Sequence, residues 1–238
     1  MAERYFSQFK QDKFLNEVLF NHKQHGFFVD IGAHDGVTIS NSLYFEKYKE
    51  WKGICIEPNS NVFSKLQSNR QSMNLNVCVG NGNQTVKFTQ IEGYSEMLSG
   101  ISDQYNEKHL ERIQHEIKAK GGKMIEIDVE MITLDKIDAL KNQKIDFISI
   151  DTEGNEFEIV KSIDFDLIRM TALVIENNYN DNRIKDHLNG LGYLLIYKLD
   201  CDEIFLLKKE YSLAIKTRVL FWKFQSLTQK ITAKLGLK

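Results

Sequence analysis

Short runs of apolar residues recur along the chain and alternate with longer polar stretches. Most residues in these runs are β-branched or aromatic, and polar residues seldom interrupt them. A strand that is covered on both faces has this composition, because neither of its sides meets water. The pattern predicts seven buried strands, at 27–31, 53–57, 75–79, 145–150, 172–176, 193–197 and 203–207.

Helical stretches separate most of these runs, at about 38–50, 60–71, 154–162 and 179–190. Strands and helices that alternate in this way predict an α/β fold with a doubly wound, mostly parallel sheet. Only a short polar turn around Cys201 separates the last two runs, which is the spacing of a hairpin. One edge strand of the seven-stranded sheet is therefore predicted to be antiparallel.

Residues 91–124 break this alternation. They are polar, contain glycines near both ends and include a highly charged stretch, 103–120, that predicts an exposed helix. An insertion at the carboxyl edge of a sheet commonly forms a lid over a binding site. We expect one domain over 1–207 with a lid-like insertion at about 91–124, followed by a basic amphipathic helix over 208–238.

The last segment combines an apolar helical face with basic residues. Its apolar positions fall on one side of a helix, at Leu213, Leu220, Phe224, Leu227, Ile231 and Leu235. Lysines occupy other positions, at Lys216, Lys223, Lys230 and Lys234, and Trp222 lies nearby. Two interpretations follow: a helix that packs on its own domain or on a second subunit, or one that lies on an anionic membrane surface.

The net charge of −2 hides an asymmetry between the body and this segment. Residues 208–238 carry eight basic residues and one acidic residue, a net +7, whereas the first 207 residues carry −9. An acidic body argues against nucleic acid as a partner. A nucleic acid is therefore not expected as a partner.

Composition narrows the class of protein further. The 238 residues are 42% hydrophobic and 27% charged, which is enough to bury a core of ordinary size. The three cysteines lie far apart, so a structural zinc site is not expected and the thiols are predicted to be reduced. No run reaches the ~18 apolar residues of a membrane span, and no signal peptide is visible, so a cytoplasmic protein is expected.

The first chemical motif joins the first strand to the helix that follows. Its glycines, Gly32 and Gly36, allow a ligand to approach the backbone, and Asp30 is placed to meet an amino group. Glu57 ends the next strand, where an acid accepts hydrogen bonds from ribose hydroxyls. An NAD site would need glycines in place of His34 and Val37. The residues therefore favour S-adenosylmethionine, which contains adenosine but no phosphate.

Acidic residues end the fourth and fifth strands. Asp151 and Glu153 follow one strand, and Glu176 and Asn177 end the next. A carboxylate at this edge can act as a general base, and the set Asp151, Glu176 and Asn177 could hold Mg²⁺ or Mn²⁺. The alternative is structural: Asp151 or Thr152 would cap the following helix, and the asparagines would form a turn.

His34 is the other candidate base. It follows Gly32 directly, in a turn that is expected to border the cofactor. A histidine there can accept the proton of an acceptor hydroxyl or contact the cofactor. A loop histidine that is hydrogen-bonded to backbone is the structural alternative. The predicted catalytic set is therefore Asp151, Glu153 and His34.

Taken together, these motifs resemble the FkbM family of S-adenosylmethionine-dependent methyltransferases. The segments concerned are FFVDIGAHDG at 27–36, WKGICIEP at 51–58 and IDFISIDTEGNE at 145–156. The early YFSQFKQD at 5–12, the strand end at Glu176 and the GLGY turn at 190–193 are also similar. The resemblance covers about residues 5–207, and residues 208–238 lie outside it.

The resemblance implies a Rossmann-like methyltransferase fold and transfer of a methyl group to a hydroxyl oxygen, with a sugar hydroxyl as the first candidate. It carries the cofactor roles onto Asp30, Gly32, Gly36 and Glu57. Two alternatives stay open from the residues themselves. One is an NAD-dependent oxidoreductase, and the other is a non-catalytic binding module on the same fold.

Overall fold

The computed structural model describes residues 3–105 and 107–234, which form two β-sheets and the helices around them. In chain order the strands are β1 (Phe27–Ile31), β2 (Lys52–Ile56), β3 (Met73–Leu75), β4 (Cys78–Val79), β5 (Gln84–Glu92), β6 (Gly100–Ile101), β7 (Lys123–Ile132), β8 (Ile145–Ile150), β9 (Met170–Glu176), β10 (Tyr193–Leu199) and β11 (Asp202–Leu207). The helices are α1 (Gln11–Phe14), α2 (Leu43–Lys49), α3 (Ser60–Asn69), α4 (Glu107–Lys120), α5 (Glu156–Ser162), α6 (Asn182–Gly190) and α7 (Leu213–Lys234).

The larger sheet has seven strands in the order β10-β11-β9-β8-β1-β2-β3. Neighbouring strands run parallel except at β11, which is antiparallel to both β10 and β9. The predicted doubly wound, mostly parallel sheet is confirmed. The antiparallel strand β11 is second from the edge, because β10, which precedes it in the chain, forms the edge of the sheet. The chain order reverses between β1 and β8, and ligands bind beside such a reversal in open α/β sheets.

Helices cover both faces of this sheet, which explains the near-continuous apolar runs. All six residues of β8 are buried. Side chains alternate between two cores: Ile148 and Ile150 pack in one, while Phe147 packs in the other beside Phe45 and Trp51. A strand with two buried faces has no position for a solvated side chain, so it loses the alternation of an amphipathic strand.

The smaller sheet has the strand order β4-β7-β5-β6 and spans residues 78–132, so it extends beyond the predicted insertion at 91–124 on both sides. Of its elements, β6 and α4 lie wholly within the predicted range, and α4 packs on the sheet to form a small α/β unit. The long strands β5 and β7 pair antiparallel over nine residue pairs. The predicted strand at 75–79 is divided between the two sheets, because β3 ends at Leu75 and β4 begins at Cys78.

Three of the four predicted helices, α2, α5 and α6, begin later than the sequence periodicity predicts, whereas α3 begins at Ser60 as predicted. α2 begins at Leu43 rather than at 38, because the Ser40 side chain accepts the backbone N–H groups of Ser42 and Leu43. α5 begins at Glu156 because the preceding Gly154 has a φ of +120°. Left-handed backbone cannot continue into a right-handed helix, so the loop residues stay outside it.

The two ends of the described chain pack against each other. α1 continues into a wider π-helical turn, Leu15–Leu19, and α7 lies across it. α7 buries one face on its own domain through Ile215, Val219 and Trp222. The predicted apolar face is a different one, and its members Leu213, Leu220, Phe224 and Leu227 are exposed. Leu235 lies outside the described residues, and the Ile231 side chain is not described.

No helix among the described residues is long and apolar enough to cross a bilayer.

A buried polar network holds the loop after β1 against α3. Arg70 donates from Nε to Glu46 at 3.0 Å, from Nη1 to the Gly36 carbonyl at 3.1 Å, and from Nη2 to the Ser42 hydroxyl at 3.0 Å. The Ser42 hydroxyl in turn donates to Asp30. Burial raises the pKa of the Asp30 carboxyl, and the Arg70 guanidinium counteracts that rise. One buried cation therefore stabilises two acids.

We expect Arg70→Met to lower the free energy of unfolding by about 3–5 kcal/mol, because it leaves buried acids without their cation. Urea unfolding followed by circular dichroism measures the loss. The matched control is Lys87→Met, since Lys87 forms an exposed pair with Asp128 at 2.8 Å. That variant is expected to change stability by less than about 1 kcal/mol. Equal losses in the two variants would contradict the role of the network.

Candidate active site

A cleft of about 310 Å³ opens at the carboxyl ends of the central parallel strands. The larger sheet forms its floor, and the smaller sheet with its flanking turns forms one wall. Ligand sites in proteins have volumes from about 300 Å³ upward, so the cleft can take a small molecule. Among its lining residues are Gly32, His34, Glu57, Glu96, Asp151, Thr152, Glu153, Glu176, Asn178 and Asp200.

Gly32 forms the floor of the cleft between β1 and β8. Its φ is +83°, and a Cβ atom added there would lie 1.7 Å from the carbonyl oxygen of Asp151. The backbone N–H groups of Gly32 and Ala33 both donate to the Ile56 carbonyl, at 2.9 and 3.0 Å. Only glycine fits this contact, and the absent side chain leaves a smooth backbone surface toward the ligand.

Glu57 stands beside this floor at the end of β2. Its two carboxylate oxygens accept the backbone N–H groups of His34 at 2.9 Å and Asn59 at 2.8 Å. These bonds fix the carboxylate at the cleft wall, while its remaining lone pairs stay available to a ligand. Burial raises the pKa of Glu57 to about 7, and the two backbone donors oppose that rise.

Two other predicted cofactor residues do not line the main cleft. Asp30 lies in the Arg70 network and borders a smaller adjoining cavity of about 40 Å³. Gly36 has a φ of +77°, and an added Cβ would lie 2.5 Å from Cγ of Arg70 and 2.7 Å from Leu66. Gly36 therefore allows α3 to pack closely behind the turn. These two residues therefore contribute to the shape of the site, and neither lines the main cleft.

Three acids converge on the other side of the cleft. Asp151, Glu153 and Glu176 offer carboxylate oxygens that all lie within 4.8 Å of one another. Burial, with a further contribution from acidic neighbours, raises the pKa values of Glu153 and Glu176 to about 8. Burial and the charge of Glu176 likewise raise the pKa of Asp151 well above its usual range. We name these three residues the acid cluster.

Two more carboxyls adjoin the acid cluster and carry structural roles. Glu156 accepts the backbone N–H groups of Thr152 at 2.9 Å and Gly154 at 2.9 Å, so it holds the loop after β8. Asp202 accepts a hydrogen bond from Gln11, and burial raises its pKa to about 6. Helix capping by Asp151 or Thr152 is not observed, because the N-cap of α5 is Asn155.

The predicted metal set needs one correction. Asn177 does not join Asp151 and Glu176, because its side chain is engaged in the loop before α6. Its Oδ1 accepts the N–H of Asp181 at 2.7 Å, and its Nδ2 donates to the carbonyl of that residue at 3.2 Å. Glu153 takes its place, since the left-handed backbone at this residue (φ +56°) keeps it at the cleft rather than on α5.

His34 lies at the cleft between the cofactor side and the smaller sheet. Its Nε2 is 3.3 Å from Oε1 of Glu96, and its Nδ1 is 3.7 Å from Oδ1 of Asp35. Neither buried ring nitrogen makes a hydrogen bond of good geometry with the described residues. The expected hydrogen bond from the ring to backbone is therefore not found among the described residues. The His34 main-chain N–H donates instead to the Glu57 carboxylate at 2.9 Å.

Side chains that the sequence analysis did not select complete the site. On α4, Arg112 lies 3.3 Å from Glu153, and the His109 ring nitrogen lies 3.8 Å from the same carboxylate. His109 is buried, although its polar helical surroundings in the sequence suggest an exposed residue. The N-terminal segment adds Gln8 and Phe9 to the cleft. The sequence contains no local signal for these contacts, because they join elements far apart in the chain.

We expect the thermal midpoint of the ligand-free protein to fall as the pH rises from about 5 to about 8. The pKa values of Glu153 and Glu176 are 4.5 ordinarily and about 8 in the folded protein. The folded state therefore holds more protons in this interval, and its stability is lost as they leave. Scanning calorimetry at stepped pH measures the slope.

Glu176→Gln is expected to flatten this slope and to stabilise the protein at pH 8 by about 1–2 kcal/mol, allowing for its partial exposure. The control is Glu130→Gln, at an exposed position of β7, which should follow the wild type. A wild-type midpoint that does not change across the interval would rule out the raised pKa values of Glu153 and Glu176.

Solved structures of methyltransferases are similar to this chain at low identity. The "METTL16 MTase domain" has a TM-score of 0.40 and 13% identity, over 82% of this chain and 64% of that one. The N-terminal domain of human METTL16 in complex with SAH has a TM-score of 0.42 and 14% identity, over 86% and 72%. Precorrin-6y C5,15-methyltransferase from Geobacter metallireducens has a TM-score of 0.38 and 14% identity, over 86% and 90%. This chain thus spans less than two thirds of the first of these chains.

Comparison by sequence identifies a family. No curated protein matches the chain significantly. The profile of the family "Methyltransferase FkbM domain" matches residues 30–205, which is most of the chain. The matched range begins at Asp30 in β1 and ends at Phe205 in β11, so it contains the whole acid cluster and the Gly32 turn.

Proposed function

Because the chain belongs to the FkbM methyltransferase family, we propose that it transfers the methyl group of S-adenosylmethionine to a hydroxyl oxygen of a small molecule or glycan, with a sugar hydroxyl as the first candidate. The observation that carries the proposal is the pairing of the Gly32–Glu57 wall with the acid cluster across one cleft. The first suits a nucleoside cofactor, and the second suits a hydroxyl that must lose its proton.

The residues of the Gly32–Glu57 wall fit S-adenosylmethionine. Glu57 presents a fixed carboxylate whose free lone pairs can accept both ribose hydroxyls. Pro58, Val77 and Phe88 line the cleft nearby and offer an apolar surface to an adenine ring. The smaller cavity beside Asp30 and Gly32 adjoins this wall and can take the polar end of the methionine part. When bound, the cofactor supplies a methyl group on a positively charged sulfur.

The acid cluster supplies the base. Methyl transfer is an in-line displacement, in which the acceptor oxygen forms a bond to the methyl carbon as the carbon–sulfur bond breaks. The acceptor hydroxyl loses its proton to a carboxylate, for which Asp151 or Glu153 is the first choice, Glu176 the second and His34 the alternative. A carboxyl with a pKa near the working pH is well suited to take up this proton.

The density of carboxylates also supports a polyhydroxylated acceptor. Asp151, Glu153, Glu176 and Asp200 all line the same part of the cleft. Carboxylate oxygens accept hydrogen bonds, and neighbouring sugar hydroxyls donate several at once. An NAD-dependent reaction is disfavoured, because the His34 side chain occupies the position where a pyrophosphate would need glycine.

A divalent cation is a second role for the same residues. Three carboxylates within 4.8 Å can hold Mg²⁺ or Mn²⁺, and a cation there would relieve their mutual repulsion. It would also polarise the acceptor hydroxyl and lower its pKa. Asp151, Glu153 and Glu176 would be its protein ligands.

Glu57→Gln is expected to weaken binding of S-adenosylmethionine about tenfold or more, because a charged acceptor of two ribose hydrogen bonds becomes a neutral amide with one oxygen. Isothermal titration calorimetry measures the dissociation constant. Glu130→Gln serves as the control and should bind as the wild type does. An unchanged constant in the Glu57 variant would remove this residue from the cofactor site.

Asp151→Asn is expected to retain cofactor binding and to lose at least about a hundredfold in turnover, the usual contribution of a general base. The assay follows S-adenosylhomocysteine release with a panel of free sugars, nucleotide sugars and oligosaccharides. Chelator separates the two roles of the acid cluster: inhibition that Mn²⁺ reverses supports the cation, whereas full activity in excess chelator leaves the general base alone. Wild-type turnover in Asp151→Asn would exclude Asp151 from both roles.

A further inference from the structure

The C-terminal helix α7 has one face that is fixed to the protein. Val219 and Trp222 are buried, and the Trp222 ring packs edge-on against Phe14 at 5.3 Å between centroids. Arg218 donates from Nε to the carbonyl of Val18 at 2.7 Å. These contacts set the rotation of the helix about its axis, so the direction of its opposite face is determined.

The opposite face is apolar and exposed. Four side chains, with 79, 66, 63 and 56% of their surface exposed, form a stripe: Leu213, Leu220, Phe224 and Leu227. Their spacing of seven, four and three residues keeps them on one line along the helix. Fourteen residues of rise give the stripe a length of about 20 Å. Phe221, which is 61% exposed, widens it on one side. Such a patch on an otherwise polar surface marks an interaction site.

Basic side chains border this stripe. Lys216 and Lys223 lie seven residues apart on the side away from Phe221, the first 5.3 Å from the Tyr211 ring and the second 5.9 Å from the Tyr197 ring. Between Leu213 and Lys234 the helix has no Asp or Glu. Residues 208–238 carry a net +7. The stripe therefore combines apolar side chains with uncompensated positive charge.

We propose that this face of α7 binds the surface of an anionic phospholipid bilayer. The stripe would enter the boundary between headgroups and acyl chains, and Lys216 and Lys223 would lie among anionic headgroups. A second copy of the helix is a poorer partner, because an isologous contact would bring the same lysines against each other without an acid to pair with. This inference concerns a surface away from the acid cluster and does not depend on the reaction.

The test is cosedimentation of the full-length protein with two kinds of vesicle, one of phosphatidylcholine with phosphatidylglycerol and one of phosphatidylcholine alone. Binding is expected to the first and not to the second, and it should weaken as salt is added. Lys216→Glu with Lys223→Glu should lower the partition coefficient at least about tenfold. Leu220→Ser with Phe224→Ser should lower it by a similar factor.

Matched controls carry the same changes elsewhere on the surface. Lys144→Glu with Lys185→Glu changes exposed lysines away from α7, and Leu167→Ser changes an exposed leucine. Both controls should bind vesicles as the wild type does. All changes are at exposed positions, and thermal midpoints equal to that of the wild type verify folding. The point variants are sharper than removal of α7, which would also uncover Phe14.

Three results would overturn the proposal. The first is absence of binding to the anionic vesicles at low salt, and the second is equal binding to both kinds of vesicle. The third is a wild-type dimer in light scattering that Leu220→Ser with Phe224→Ser converts to a monomer, with no vesicle binding in either. That last result would assign the stripe to a second copy of the chain.

Discussion

The contact between two backbones at the reversal of the sheet is the constraint on which the site depends. Where β1 ends, a Cβ on Gly32 would lie 1.7 Å from the carbonyl oxygen of Asp151. This approach is closer than any side chain permits, so the turn after β1 and the loop after β8 are locked side by side. The Gly32–Glu57 wall therefore faces the acid cluster, which includes Asp151, across a cleft of fixed width.

The second constraint is electrostatic. The acid cluster concentrates three carboxyls in a partly buried space, with Glu156 and Asp202 close behind. Arg112 is the cation that reaches Glu153, and it comes from α4 in the smaller sheet's unit. Burial, and after it the repulsion between the carboxylates, raises the pKa values of the acid cluster, so the site takes up protons or cations readily. Burial and the close spacing of its carboxyls make the acid cluster unfavourable for folding. The same two features make it well suited to accept a proton or to bind polarised hydroxyls.

The smaller sheet matters to the function through these same contacts. It brings Arg112 and His109 to Glu153, and it brings Glu96 to within 3.3 Å of His34. One inserted unit thus touches both walls of the cleft. Any movement of that unit relative to the larger sheet would change the surroundings of both predicted bases at once, which links access to the cleft with the charge state inside it.

The sequence alone determined the architecture of the larger sheet, because buried parallel strands such as β8 have a local signature of near-continuous apolar residues. It also placed four site residues at the carboxyl ends of their strands: Gly32, Glu57, Asp151 and Glu176. The sequence also contains a signal for β7, in which Ile125, Ile127 and Val129 alternate with acids. This strand was not predicted, because it directly follows the charged residues of α4. Only tertiary structure decided the rest. In the folded protein, Asp30 lies in the Arg70 network, and the Asn177 side chain is hydrogen-bonded within its own loop. Glu153 lies in the acid cluster, and one face of α7 is buried while the opposite face is exposed. Each of these outcomes depends on contacts between segments distant in the chain, and such contacts leave no periodic trace in either segment.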